Sequence, residues 1–110
     1  MAIVEIDEFE LINEIIEQKW FVCRISSSPT KVTKLHYALI KEITDWCYQT
    51  FGRKYGLIDF AIFERLGTWY HVAIAGDDYF LIKNESELSL FLIRFGEHVT
   101  ENHKLGKNTK

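Results

Sequence analysis

Three runs of β-branched and aromatic residues crowd into one short stretch, at 57–65, 69–75 and 79–83, with only Leu66-Gly67-Thr68 and Gly76-Asp77-Asp78 between them. Connections of three residues are too short for a crossover, so neighbouring runs must pair antiparallel, and an antiparallel meander is expected over 57–83. Residues paired across strands share a face of the pleat. Three-residue loops align Ile62 with Val72, Phe60 with Ile74, Val72 with Ile82 and Ile74 with Phe80, which makes one face wholly apolar and assigns it to the core. The opposite face then carries Asp59, Phe63 and Arg65 beside Trp69 and His71, with Tyr79 and Lys83 on the third strand.

The flanking segments read as helices and one further strand. Asp7 followed by Glu10 is a capping-box pattern, and Phe9, Ile12, Ile15 and Ile16 recur at helical spacing, predicting a helix over 7–18. Trp20 to Ile25 forms a strand-like run that ends in the turn formers Ser26 to Thr30. Leu35, Leu39, Ile43 and Trp46 mark the buried stripe of a second helix over 31–51, stopped near Gly52. Asn84 with Glu87 signals a third helix over 85–98, whose stripe is Leu88, Phe91, Leu92, Phe95 and Val99.

The expected fold class is therefore α+β: a single two-layer domain of order α-β-α-β-β-β-α, with the meander packed by helices on one face. Its 110 residues hold one core, with 47% hydrophobic residues to build it. Residues 1–99 form the expected globular domain, and 100–110, with Leu105 as their one apolar side chain, form an expected mobile polar tail.

Charge and cysteine content narrow the function classes. The formal charge is −3, and the acids concentrate in 1–30 and 57–99, whereas 31–56 holds five bases against two acids. An acid excess opposes nonspecific attraction to nucleic acid or anionic lipid. The acidic start of the chain does not read as a signal peptide and no run reaches membrane-spanning length, so a cytoplasmic location is expected. Cys23 and Cys47 lie in apolar runs and are expected to be buried, reduced and inert.

Candidate chemistry is sparse. Nucleophilic catalysis needs a base and a group that orients it, and Cys23 could be matched with His36 or His71, but it sits mid-strand in an apolar run, where a thiol is expected to be inert packing. Glu97, His98, Glu101 and His103 form the densest set of metal-ligand types, but they straddle a helix end, so a solvated surface is the expectation and no metal is assigned. Asp77 and Asp78 read as turn residues. No glycine-rich phosphate loop occurs, no cofactor is expected, and no catalytic constellation assembles that would make the chain an enzyme.

Two surfaces remain. The mixed sheet face, with Asp59, Phe63, Arg65, Trp69, His71, Tyr79 and Lys83, combines residue types enriched at protein interfaces. The expectation is a small cytoplasmic inhibitor that occludes a protein partner there, in the manner of immunity proteins, antitoxins or phage-encoded inhibitors. An acidic domain suits a basic partner such as a nuclease or nucleic-acid-binding protein. The alternative is a small nucleic-acid-binding regulator using the basic helix over 31–54, through Lys31, Lys34, Lys41, Arg53 and Lys54.

Overall fold

The first helix, α1 (Glu8–Glu17), buries a narrow stripe of Leu11 and Ile15, one turn apart. Phe9 and Ile16, expected on that stripe, are exposed instead. A Schellman turn ends α1: Trp20 N–H donates to Ile15 O, Lys19 N–H donates to Ile16 O, and Lys19 takes a left-handed φ of 58°. This turn delivers the chain directly into β1 (Phe21–Ser26). The computed structural model describes residues 8–26, 33–56, 58–59 and 64–105.

After α2 (Thr33–Phe51), which stops at the left-handed Gly52, come β2 (Ile58–Asp59), β3 (Glu64–Arg65), β4 (Trp69–Ile74) and β5 (Asp77–Ile82). Then follow α3 (Glu85–Phe95), a short 3-10 turn (Gly96–His98) and β6 (Glu101–Lys104). The expected order α-β-α-β-β-β-α stands, and among the described residues the single α+β domain has three helices and a four-stranded antiparallel sheet. Among the described residues no helix is long and apolar enough to cross a membrane. Asn84 precedes α3 as expected, but its side-chain oxygen accepts no helix N–H; its amide donates to the Glu87 carboxylate at 2.7 Å.

The composition of the sheet differs from the expected meander. Its strand order is β4-β5-β1-β6, and β2 pairs only with β3, as a separate two-stranded ribbon. Phe60 and Ile62, whose pairings were expected to extend the meander, lie outside the described residues. Gly67 explains part of the departure. At φ 100° it passes so close to the preceding segment that a Cβ there would sit 2.5 Å from the Tyr55 backbone nitrogen, and Tyr55 N–H donates to Trp69 O at 2.7 Å. The chain from 64 to 69 thus packs along the 54–56 segment and does not fold back on β4 as a tight hairpin.

The β4–β5 register is corrected as well. The turn is Ala75-Gly76, both left-handed at φ 52° and 85°, and it closes on Ile74 opposite Asp77. This is the two-residue type I′ geometry, and alanine in its first position gives little sequence signal. Val72 therefore faces Tyr79, and Trp69 faces Ile82. The displacement from the expected pairing is an odd number of residues, so β4 turns its other side to the core.

Both faces of the sheet are covered, so the expectation of helices on one face alone gives way to a three-layer arrangement. On one side Cys23, Ile25, Trp69, Phe80 and Ile82 meet Ile43 and Cys47 of α2 and Phe91 and Phe95 of α3. On the other, Val22, Tyr70 and Leu81 meet Leu11 and Ile15 of α1, together with Trp20 and Tyr55. Each fully buried aliphatic or Phe side chain in these layers stabilises the fold by about 1.5–3 kcal/mol. Residues 101–104 also correct the expected tail: they pair with β1 as an edge strand, and Leu105 packs into the α1-side layer while its N–H donates to Trp20 O at 2.7 Å.

Candidate functional site

Bringing β4's other side inward places a polar group in the core wall. His71 of β4 and Asp78 of β5 come to the side of the sheet that faces α2, and His36 reaches them from the first turns of α2. Asp78 Oδ1 meets His71 Nε2 at 2.7 Å and Asp78 Oδ2 meets His36 Nε2 at 2.8 Å. A carboxylate only accepts, so both imidazoles present Nε2–H to it. Asp78 is buried to 8% exposure, and His71 stacks on Phe80 with ring centroids 4.7 Å apart. His36 Nδ1 is enclosed and has no hydrogen-bond partner. One carboxylate thus ties three elements together and fixes the start of α2 against the β4–β5 hairpin.

Exposed apolar side chains lie on both elements that this junction joins. Leu35 and Tyr37 flank His36 and are 68% and 77% exposed, and Ile74, beside the hairpin turn, is 53% exposed. Leu35 was expected on the buried stripe of the helix. His36 takes the inward position, because its hydrogen bond to Asp78 fixes the rotation of the first turn.

The polar contacts of the other face hold α1 and the edge strand. Arg24 bonds Asp77 at 3.1 Å and Glu101 at 3.2 Å, spanning β5, β1 and β6. Glu14 accepts from the Arg65 guanidinium at 2.5 Å and from the Tyr55 hydroxyl at 2.6 Å. The Arg65 hydrogen bond holds the Glu14 carboxyl below its usual range against the opposing effect of burial. Burial and the Glu14 bond push the Tyr55 hydroxyl up to about 12. These groups act as a latch on α1.

The sheet-face site expected from the sequence is not assembled. Trp69 is 1% exposed under α2, with its indole N–H donating to Gly52 O at 2.8 Å and its ring edge-on to Tyr48. His71 is bound to Asp78 on that same inner side, whereas Tyr79 packs against the α1-side layer. Arg65 is engaged by Glu14, and Lys83 is exposed beyond the end of β5. Asp59 is placed through its backbone in β2, and Phe63 lies outside the described residues.

The described side chains of the basic patch are likewise dispersed. Lys41 is exposed but paired with Asp45 at 2.9 Å, and Arg53 is exposed past the helix end. Lys54 places its ammonium 5.5 Å from the Tyr70 ring centroid, on the α1 side of the sheet. Lys34 is located through its backbone in the first turn of α2, and Lys31 lies outside the described residues.

Burial pushes the Cys23 and Cys47 thiols up to about 12. Both are free and enclosed, and the two imidazoles considered as their partners are engaged with Asp78. Glu97 contacts His98 at 3.4 Å and Glu101 contacts His103 at 3.5 Å as two separate pairs. Among the described residues no group of three or more His, Cys, Asp or Glu could hold a metal ion.

The His36–Asp78–His71 junction is the feature that sequence reasoning missed. Its one available signal was the placement of two adjacent acids after Gly76, which turn chemistry already explained. No protein-family model matches the chain, and no curated protein or solved structure is detectably similar to it.

Proposed function

We propose that this chain is a small cytoplasmic inhibitor that occludes a basic protein partner, and that it does so with the first turns of α2 and the β4–β5 hairpin. The observation that carries the reading is the exposure of Leu35 and Tyr37 on the first turns of α2 and of Ile74 on the hairpin, the two elements that His36 and Asp78 join. Exposed aliphatic and aromatic side chains on a rigid support are what a protein partner can desolvate at low entropic cost. The net charge of −3 favours capture of a basic protein, such as a nuclease or a nucleic-acid-binding protein. The sheet face offers no such surface, since its aromatic anchor Trp69 is buried.

The nucleic-acid alternative draws less support. It needs several free cations on one surface, and Lys41 is offset by Asp45 while Lys54 lies over Tyr70.

The test is affinity capture from the native cell with the wild-type chain and a Leu35→Asp, Tyr37→Ala variant in parallel, followed by titration of the identified partner. A stoichiometric basic protein should be retained by the wild type, inhibited by it, and bound at least about tenfold more weakly by the variant. Equal binding by both chains would remove the site from α2. Nuclease-sensitive nucleic acid in place of a protein would replace the reading with the alternative.

A further inference from the structure

The outer surface of the helical layer has a feature that the fold itself does not use. An open groove of about 450 Å³ runs between α2 and α3. Trp46 and Phe95 line it, their rings edge to face at 5.2 Å, with Lys41, Glu42, Asp45 and Arg94 also on its walls. Adjoining the groove, α3 presents Leu90 and Ile93, 49% and 83% exposed. Three residues apart, they share one side of the helix, and Ile93 directly precedes the groove-lining Arg94. Apolar projections and an aromatic-lined recess therefore occur side by side.

We propose that this surface pairs with a second copy of the chain about a twofold axis, with Leu90 and Ile93 of each copy entering the groove of the other. A twofold interface must be complementary to itself, so one patch has to supply both projection and recess. The charges meet the same condition. Copies of a chain carrying −3 repel on average, yet the charges on this groove balance: Lys41 and Asp45 pair within each copy at 2.9 Å, and Arg94 of one copy can face Glu42 of the other without net repulsion. A heterologous protein would need no such internal balance.

The size of the surface sets the strength. A 19-residue α2 is about 28 Å long, and with α3 beside it the footprint is roughly 500 Å² per copy, below the roughly 800 Å² of a standard stable interface. A surface of that size suits a weak, reversible dimer.

Sedimentation equilibrium of the full chain, from roughly 5 to 500 µM, tests this directly. The expected result is a monomer–dimer equilibrium with a micromolar Kd, weakened at least about tenfold by Ile93→Glu and also weakened by Leu90→Gln. Both positions are exposed, and an unchanged melting temperature would confirm that neither variant acts through the fold. Ile74→Ser, on the β4–β5 hairpin and outside the groove lining, should leave the dimer unaffected, which separates this surface from the one assigned to the partner. A monomer throughout the range, or a dimer indifferent to both α3 variants, would overturn the proposal.

Discussion

Removing the Asp78 carboxylate should be among the most costly single polar changes available in this fold. Asp78→Ala leaves two enclosed or half-enclosed imidazole N–H groups without an acceptor. Hydrogen bonds to a charged group contribute about 1.5–3 kcal/mol each, so two of them bound the loss at about 3–6 kcal/mol. His71 is 24% exposed at its side chain and can recover water, whereas His36 is 12% exposed, which places the expected loss near the lower limit, at about 3 kcal/mol. Asp78→Asn should cost about half as much, because a carboxamide keeps one acceptor oxygen and turns an NH2 donor toward the second imidazole. His71 can answer by changing tautomer and exposing Nδ1–H to water, but His36 cannot, since its Nδ1 is enclosed. Urea unfolding followed by tryptophan fluorescence gives both values, and a double-mutant cycle with His36→Ala should return a coupling of about 1–2 kcal/mol. A loss below about 1 kcal/mol for Asp78→Ala, or equal losses for Ala and Asn, would show that the junction does not hold α2 in place.

The α1 latch should give the fold part of its acid sensitivity. The Glu14 carboxyl is held below its ordinary 4.5 by the Arg65 hydrogen bond, so its contribution is complete above about pH 4.5 and is lost as pH falls through the folded value. Glu14→Gln should therefore be less stable than the wild type at pH 7, with the gap narrowing as pH falls below about 4.5, as measured by urea midpoints from neutral to acid pH. A pH-independent gap would refute the carboxylate's role. With both thiols pushed up to about 12 by burial, labelling of the native chain by a thiol reagent at pH 8 should proceed only as fast as the structure opens. Rapid labelling of either cysteine in native conditions would contradict its enclosure.

Legibility of the fold followed the strength of local signals. The helices and β1 were readable because each carries a periodicity or a capping pattern that also decides its tertiary position. Rotation about a helix axis was less secure. Phe9 and Leu35 fit their apolar stripes by spacing, yet both face solvent, because a stripe near a helix end is set by what the adjoining residues contact. For Leu35 that contact is the neighbouring His36 with Asp78. The pairing of β6 with β1 is a contact between segments some 80 residues apart in sequence, and nothing local in Glu101 to Lys104 advertises it.

The site was lost through a single turn. Gly76-Asp77-Asp78 has the composition of a hairpin loop, and reading it as one assigns both acids to solvent. The chain instead turns at Ala75-Gly76, with alanine in a left-handed conformation that costs about 1 kcal/mol and that composition does not foretell. The offset is repaid further along: starting β5 two residues earlier makes Asp77 available to Arg24 on one face and Asp78 to His36 and His71 on the other. The same offset buries Trp69, which local reading had placed on an exposed face. Turn, register, buried carboxylate and displaced surface are thus one choice made by the chain, decided by the three partners waiting for the two acids and invisible to any window shorter than the distance from Arg24 to Asp78.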